Sequence, residues 1–289
     1  MTDSLDALLA GLVDYAGLFP PTALTMSDAV RAYGMYRSGP RASMLGRFVV
    51  PAQRLTEFAE AAAPLLVSGD PWRLSVLAEP ADAVRLRAFD AEHAGRAVIE
   101  TIETKATTVD AVSAAAVLGA DRTTFVEFPL DADPAVFLAA LAECGLLAKA
   151  RTGGVVAGAI PSSAQVARFI GACARANVPF KATAGLHHPM RGEYRLTYDE
   201  NSDYGTMFGF LNVFAAAVFA RCGASDAEIA AILDERAAAA LQFTDGALLW
   251  RHWRASSVDV SLARASFATS FGSCSFAEPV DDLMTLGLL

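Results

Sequence analysis

The segments AKARTGG (148–154) and PFKATAGLHHP (179–189) each set a lysine inside a run that otherwise reads as a buried strand. Lys149 and Lys181 are about one strand–helix–strand unit apart, which puts them on neighbouring strands. A buried ammonium is costly unless a carboxylate pairs with it or its pKa falls. Two such lysines have two uses. One is a buried ion network with glutamates of adjacent strands. The other is amine chemistry: a neighbouring cation and an apolar wall depress a lysine's pKa, and a neutral amine attacks a carbonyl to form a Schiff base. In that use one lysine is the nucleophile and the other perturbs it or shuttles a proton.

Further side chains fall near these two. Alternation along a strand puts Lys149 and Arg151 on one face, and Lys181 and Thr183 on one face opposite Phe180. Arg151, with Thr152, Gly153 and Gly154, suits an anionic group; the two glycines also suit any tight turn after a strand. Glu127 lies in TFVEF (124–128), flanked by apolar residues, and Glu100, Glu103 and Lys105 lie in AVIETIETK (97–105). Glu100 has the opposite parity to Glu103 and Lys105, so only one set faces inward on a regular strand, and Glu103 is nearer the C-terminal end. Such acids hold the lysines charged or act as general acids and bases. His187 and His188 follow a strand end, and in an extended segment at most one faces the site. Either suits acid/base work or substrate binding, or metal ligation if Glu103 or Glu127 joins it. No His₂-carboxylate spacing is visible, so no metal and no cofactor is expected. Arg47 in GRFVV fits a bidentate carboxylate clamp or a salt bridge at the bottom of a barrel.

The elements that must carry these residues alternate. LGRFVVP (45–51), WRLSVLAEP (72–80), AVIETIETK (97–105), TTFVEFP (123–129), LLAKARTGG (146–154) and PFKATAGL (179–186) each precede a helical pattern or a loop leading to one. LVDYAGLFPP (12–21) is the weakest candidate strand and would be the first; LQFTDGALLW (241–250) would be the last. Asp133-Pro134 starts a helix that Gly145 closes, Ser162 or Ser163 caps the next, and Ser225 with Glu228 forms a capping box. About eight βα units result, which predicts an α/β fold of the (β/α)₈ TIM-like type, one domain over 1–289. A doubly wound open sheet is the rival, and no GxGxxG follows the first strand. The segment 266–289 carries small polar residues around Phe267, Phe271 and Phe276 and reads as a C-terminal extension packed on the barrel, a plug or a lid. The polar, aromatic stretch 190–205 suits a loop shaping a site at the mouth.

AKARTGG…PFKATAGL resembles the paired motifs of class I (Schiff-base) aldolases of the deoxyribose-phosphate aldolase type. The resemblance implies a barrel with a Lys-x-x-Thr-Gly segment on the sixth strand, whose lysine forms the Schiff base, and a Lys-Ala-x-x-Gly segment on the seventh, whose lysine lowers the first one's pKa. Lys149, Thr152 and Gly153 match the former; Lys181, Ala182 and Gly185 match the latter. The match covers about 40 residues, from the two motifs alone. Arg151 stands where the family has a small residue, LHHP replaces its small and basic residues, and its phosphate-binding serines have no equivalent beside FTDG (243–246). The lysine chemistry therefore carries over and the phosphorylated sugar does not.

Composition bounds the rest. The net charge of −9 offers no basic tract for nucleic acid, while 54% hydrophobic and 19% charged residues supply a large core. The acidic N-terminus does not look like a signal peptide, no run of 18 uncharged apolar residues appears, and Cys144, Cys173, Cys222 and Cys274 form no CxxC or zinc pattern. These readings point away from a membrane and toward a reducing cytoplasm, with homo-oligomerisation left open. The expected function is a lyase or aldolase-like enzyme acting on a small anionic carbonyl compound. Lys149 and Lys181 supply the amine chemistry, Glu103 or Glu127 with His187 or His188 move protons, and Arg47, Arg151, Thr152, Gly153, Gly154 and Thr183 bind. The alternatives are a metal-assisted lyase, isomerase or hydrolase using the histidines and glutamates, and a non-catalytic small-molecule-binding barrel.

Overall fold

The computed structural model describes residues 2–119 and 122–289. Its strands in chain order are β1 (Val13–Tyr15), β2 (Leu45–Pro51), β3 (Trp72–Leu77), β4 (Ala97–Lys105), β5 (Thr123–Glu127), β6 (Leu147–Arg151), β7 (Phe180–Thr183), β8 (Gly192–Arg195), β9 (Tyr204–Met207), β10 (Gln242–Phe243), β11 (Ala247–Trp250), β12 (Trp253–Ser256) and β13 (Ala268–Ser273). Strands β1 to β7 and β13 close into a parallel barrel in the order β1-β13-β7-β6-β5-β4-β3-β2. Parallel neighbours need crossover connections, and the alternating helices supply them.

Helices α2 (Met26–Arg37), α3 (Leu55–Ala62), α4 (Ala83–His93), α5 (Val109–Gly119), α6 (Pro134–Glu143) and α7 (Ser163–Ala176) each follow the barrel strand of one lower number. α1 (Asp3–Leu9) precedes β1. The caps are those the residue types call for. Asp133 accepts from the Ala135 amide with Pro134 at the first helical position, and Ser162 with Gln165 forms a capping box. Gly145, at φ +65°, lets the Leu146 amide return to the Leu141 carbonyl and closes α6. Ser225 and Glu228 form the expected box ahead of α9 (Asp226–Leu233).

The eighth barrel strand is not the one expected. LQFTDGALLW (241–250) supplies β10 and β11, which pair antiparallel with each other, β11 pairing on its other side with β12, outside the barrel. An apolar run reports burial, not which sheet provides it. Here the small sheet, with α9 and α10 (Ser257–Ser266), packs around α8 (Phe210–Arg221), which is buried from Phe210 to Ala220. The barrel closes instead through β13, inside the segment expected as a plug. Its Ser270 faces inward to Asp14, while Phe271 packs outward on Phe210 and Phe214 of α8. The rest of the extension, α11 (Ala277–Thr285), packs beyond β13.

Candidate active site

In a parallel barrel, in-register residues of neighbouring strands point the same way. Lys149 is in register with Lys181 and with Glu127, so all three point into the barrel. Glu103 pairs in register with Phe125, two residues before Glu127, and also faces inward. Lys149, Lys181, Glu103 and Glu127 are all buried.

The amines do not touch; carboxylates alternate with them. Lys181 Nζ donates to Asp14 Oδ2 at 2.7 Å and to Glu103 Oε1 at 2.6 Å. Lys149 Nζ lies 2.8 Å from Glu103 Oε2 and 3.1 Å from Glu127 Oε2. Arg151 Nε donates to Glu127 Oε1 at 2.8 Å, and Lys105 stands 3.8 Å from the same oxygen on the rim. The chain Asp14–Lys181–Glu103–Lys149–Glu127–Arg151 thus runs from β1 across the barrel to the mouth. Hydroxyls complete it: Ser75 donates to Glu103 at 2.6 Å, Thr101 to Ser75 at 2.7 Å and Ser270 to Asp14 at 2.7 Å.

Burial alone raises the pKa of each carboxyl; the facing cations outweigh it and hold Asp14, Glu103 and Glu127 below the ordinary range. For Lys181, burial favours the neutral amine, but Asp14 and Glu103 outweigh it and push its pKa up. Lys181 is therefore a cation in the resting site. Glu103 between the amines carries out the pairing that was one of the two readings of the lysines.

A cavity of about 410 Å³ opens at the C-terminal ends of the strands, where barrel enzymes work. Lys149 and Glu103 form its floor; Arg151, Thr183 and His187 line it, with Phe19, Pro20, Val155 and Val156 among its apolar walls. Lys181 does not line it and is 0% exposed. Of the two amines, Lys149 is the one a ligand reaches.

The other expected residues divide. Thr152 is buried, and its Oγ1 donates to the carbonyl of Ala184 at 2.7 Å, tying the turn after β6 to the turn after β7. Gly153 and Gly154 line the cavity, and a Cβ on Gly153 would stand 2.9 Å from the Gly185 Cα. The glycines of the two motifs are thus required by each other, because the two turns pass backbone against backbone. Arg47 lies apart. It joins Glu100, Thr123, Leu147 and Pro179 around a cavity at the N-terminal ends of the strands, with its Nε 3.0 Å from Glu100. Of its two readings, the bottom-of-barrel salt bridge is the one present.

His187 lines the cavity and His188 does not, as their opposed directions require. Their partners come from α11 rather than from Glu103 or Glu127. His187 Nδ1 is 3.1 Å from Glu278, and His188 Nδ1 is 2.6 Å from Asp282, its ring stacked on Tyr194. Among the described residues no group of three or more His, Cys, Asp or Glu is arranged to hold a metal ion, and no helix is long and apolar enough to cross a membrane.

Sequence reasoning missed Asp14. The same signal that singled out the lysines was present, a charge inside an apolar run, LAGLVDYAGLF (9–19). A three-residue strand offers too little alternation to assign Asp14 a face from sequence.

No family model and no curated protein matches the chain. Among solved structures the chain is similar to a lysine/ornithine decarboxylase from Vibrio vulnificus, crystallised with cadaverine, at 12% identity and a TM-score of 0.37. The match covers 63% of this chain and 48% of that one, so the chain spans about half that protein's length. The fold assignment rests on the closed barrel itself, which is compatible with an enzyme active site at its mouth.

Proposed function

We propose that the protein is a lyase-type enzyme that takes a small anionic carbonyl compound into the barrel mouth and engages it through Lys149. The observation that carries the reading is a lysine amine at the floor of a cavity of about 410 Å³, flanked by two carboxylates that can exchange its proton. The aldolase-like motifs support it, because their lysines fall on the sixth and seventh barrel strands and in register.

The reaction begins with a proton transfer. Lys149 in its resting contacts is paired on both sides, so the arriving carbonyl has to displace one carboxylate. Glu127 is the one on the mouth side, where Arg151 and Lys105 hold it, whereas Lys181 and Ser75 hold Glu103 beneath the amine. Glu127 takes the Lys149 proton, the neutral amine adds to the carbonyl carbon, and the carbinolamine loses water to give an iminium. That iminium accepts the electron pair when a neighbouring C–C bond breaks. Lys181 stays cationic and keeps Glu103 ionised beneath the nitrogen, which stabilises the iminium's positive charge. Arg151 and His187 face the substrate's anionic group; the Phe19–Pro21 and Val155–Val156 walls cover its apolar part.

The double ion pairing of Lys149 favours a second reading, in which the charged amine stays protonated and donates a hydrogen bond to a developing enolate oxygen. Borohydride reduction in the presence of a panel of small keto acids and aldehydes separates the two. A substrate-dependent mass increase mapped to Lys149 supports the imine. A panel with no adduct at Lys149, together with turnover retained in Lys149→Arg, supports the proton donor instead. Loss of neither binding nor turnover in Lys149→Met sinks both.

A further inference from the structure

A second reactive group stands on the wall of the same cavity. Cys274 directly follows β13, at the mouth end of that strand, and lines both the lysine cavity and a neighbouring one shared with Thr22, Tyr198 and Glu278. Its Sγ is 4.0 Å from His187 Nδ1 and 3.9 Å from the Tyr198 hydroxyl. Glu278 of α11 lies 3.1 Å from the same His187 nitrogen and accepts from Tyr198 at 2.9 Å. Three elements thus converge on the thiol: the turn after β7 with His187, the segment between β8 and β9 with Tyr198, and α11 with Glu278. Tyr15 of β1 adds a phenol whose pKa burial pushes up, so it faces the thiol uncharged.

A thiolate is the reactive form of cysteine, and an adjacent imidazolium is what stabilises it. Burial raises the Cys274 pKa, but His187 outweighs it and brings it below its ordinary value. Burial lowers the His187 pKa, but Cys274 and Glu278 outweigh it and push it up to about 9. The other cysteines lack this arrangement. Cys173 is buried without an ionisable partner and its pKa is raised well above the usual thiol value, while Cys222 is exposed and its pKa is raised by burial and then by Asp259.

We propose that Cys274 is a nucleophilic thiolate of the barrel mouth, placed to attack an electron-poor carbon in a small carboxylate-bearing compound seated against His187 and Arg151. The class that fits is a carbon–carbon double bond conjugated to a carbonyl or carboxylate. The Sγ–C bond forms at the β-carbon, the π pair moves to the α-carbon, and the proton comes from the His187 imidazolium, which becomes neutral. No outside oxidant or reductant is needed. The proposal does not depend on Lys149 forming an imine.

The test alkylates the native full-length chain at pH 7 with iodoacetate and, separately, with iodoacetamide, followed by timed quenching and peptide mapping. Each reaction forms an S–C bond and releases iodide. Exposed Cys222 is the internal standard, so the main comparison needs no variant. Cys274 is expected to react at least tenfold faster than Cys222 despite being buried. Its preference for iodoacetate over iodoacetamide is expected to exceed that of Cys222 several-fold, because His187 and Arg151 attract the anion. His187→Gln is expected to slow Cys274 tenfold or more and leave Cys222 unchanged. Cys222 reacting first, or a Cys274 rate indifferent to His187→Gln, overturns the thiolate; equal reagent preference at both cysteines overturns the carboxylate-bearing ligand.

Discussion

Glu103→Gln tests the buried charge chain at its centre. The carboxylate is 4% exposed and joins both amines, at 2.6 Å to Lys181 and 2.8 Å to Lys149. Glutamine keeps the shape and leaves an oxygen to accept from Ser75 and Lys181. Its amide nitrogen then faces the Lys149 ammonium, donor against donor. Lys181 is left with Asp14 and Lys149 with Glu127, one carboxylate each instead of a share in two. Removing one partner of a buried ion pair costs about 3–5 kcal/mol. Two amines lose a partner here, so the upper part of that range is expected, with a Tm lower by roughly 6–15 °C. Urea unfolding followed by far-UV circular dichroism should show a lower midpoint at unchanged slope. Glu103→Gln with Lys149→Met removes one charge of each sign and leaves the Asp14–Lys181 pair intact. The double variant should therefore be more stable than the two single effects predict, by about 1–3 kcal/mol. A Glu103→Gln protein within about 1 kcal/mol of the parent would refute the reasoning, because one of the amines would then already be neutral.

The turns and the histidine pair give further tests. Gly153→Ala sets a Cβ against the Gly185 backbone, which cannot move aside as a side chain can, and is expected to cost about 1–3 kcal/mol; Gly158→Ala, with nothing within 4 Å of its new Cβ, serves as the neutral control in the same melts. His187 has a folded pKa raised from 6.5 to about 9, so its pairing with Glu278 and Cys274 contributes stability that is complete below pH 6.5 and lost as the pH rises through about 9. Glu278→Gln should flatten that alkaline fall in a pH series of urea midpoints, and an unchanged slope would count against the pairing. On the acid side, Asp14, Glu103 and Glu127 have lowered pKa values, so their contribution is present above the ordinary carboxylate range and declines as the pH falls below it.

The chain's own pattern determined the barrel and most of its floor. Strand and helix periods alternate over nearly all of its length, and a charge inside an apolar run marks an inward polar group whatever the fold. That is why Lys149, Lys181, Glu103 and Glu127 were legible, as was the single inward histidine. Three things depended on tertiary structure. The closing strand was β13, not the more apolar β11, because burial of α8 by the outer sheet and entry into the barrel leave similar local patterns. Asp14 entered the site because ring closure sets the first strand beside the last, bringing residues 14, 181 and 270 within hydrogen-bond distance. The partners of His187, His188 and Cys274 came from α11 and the β8–β9 segment, which only the packing of the extension brings to the mouth. Sequence records which way a side chain points along its own strand; which charge it meets depends on how the strands close.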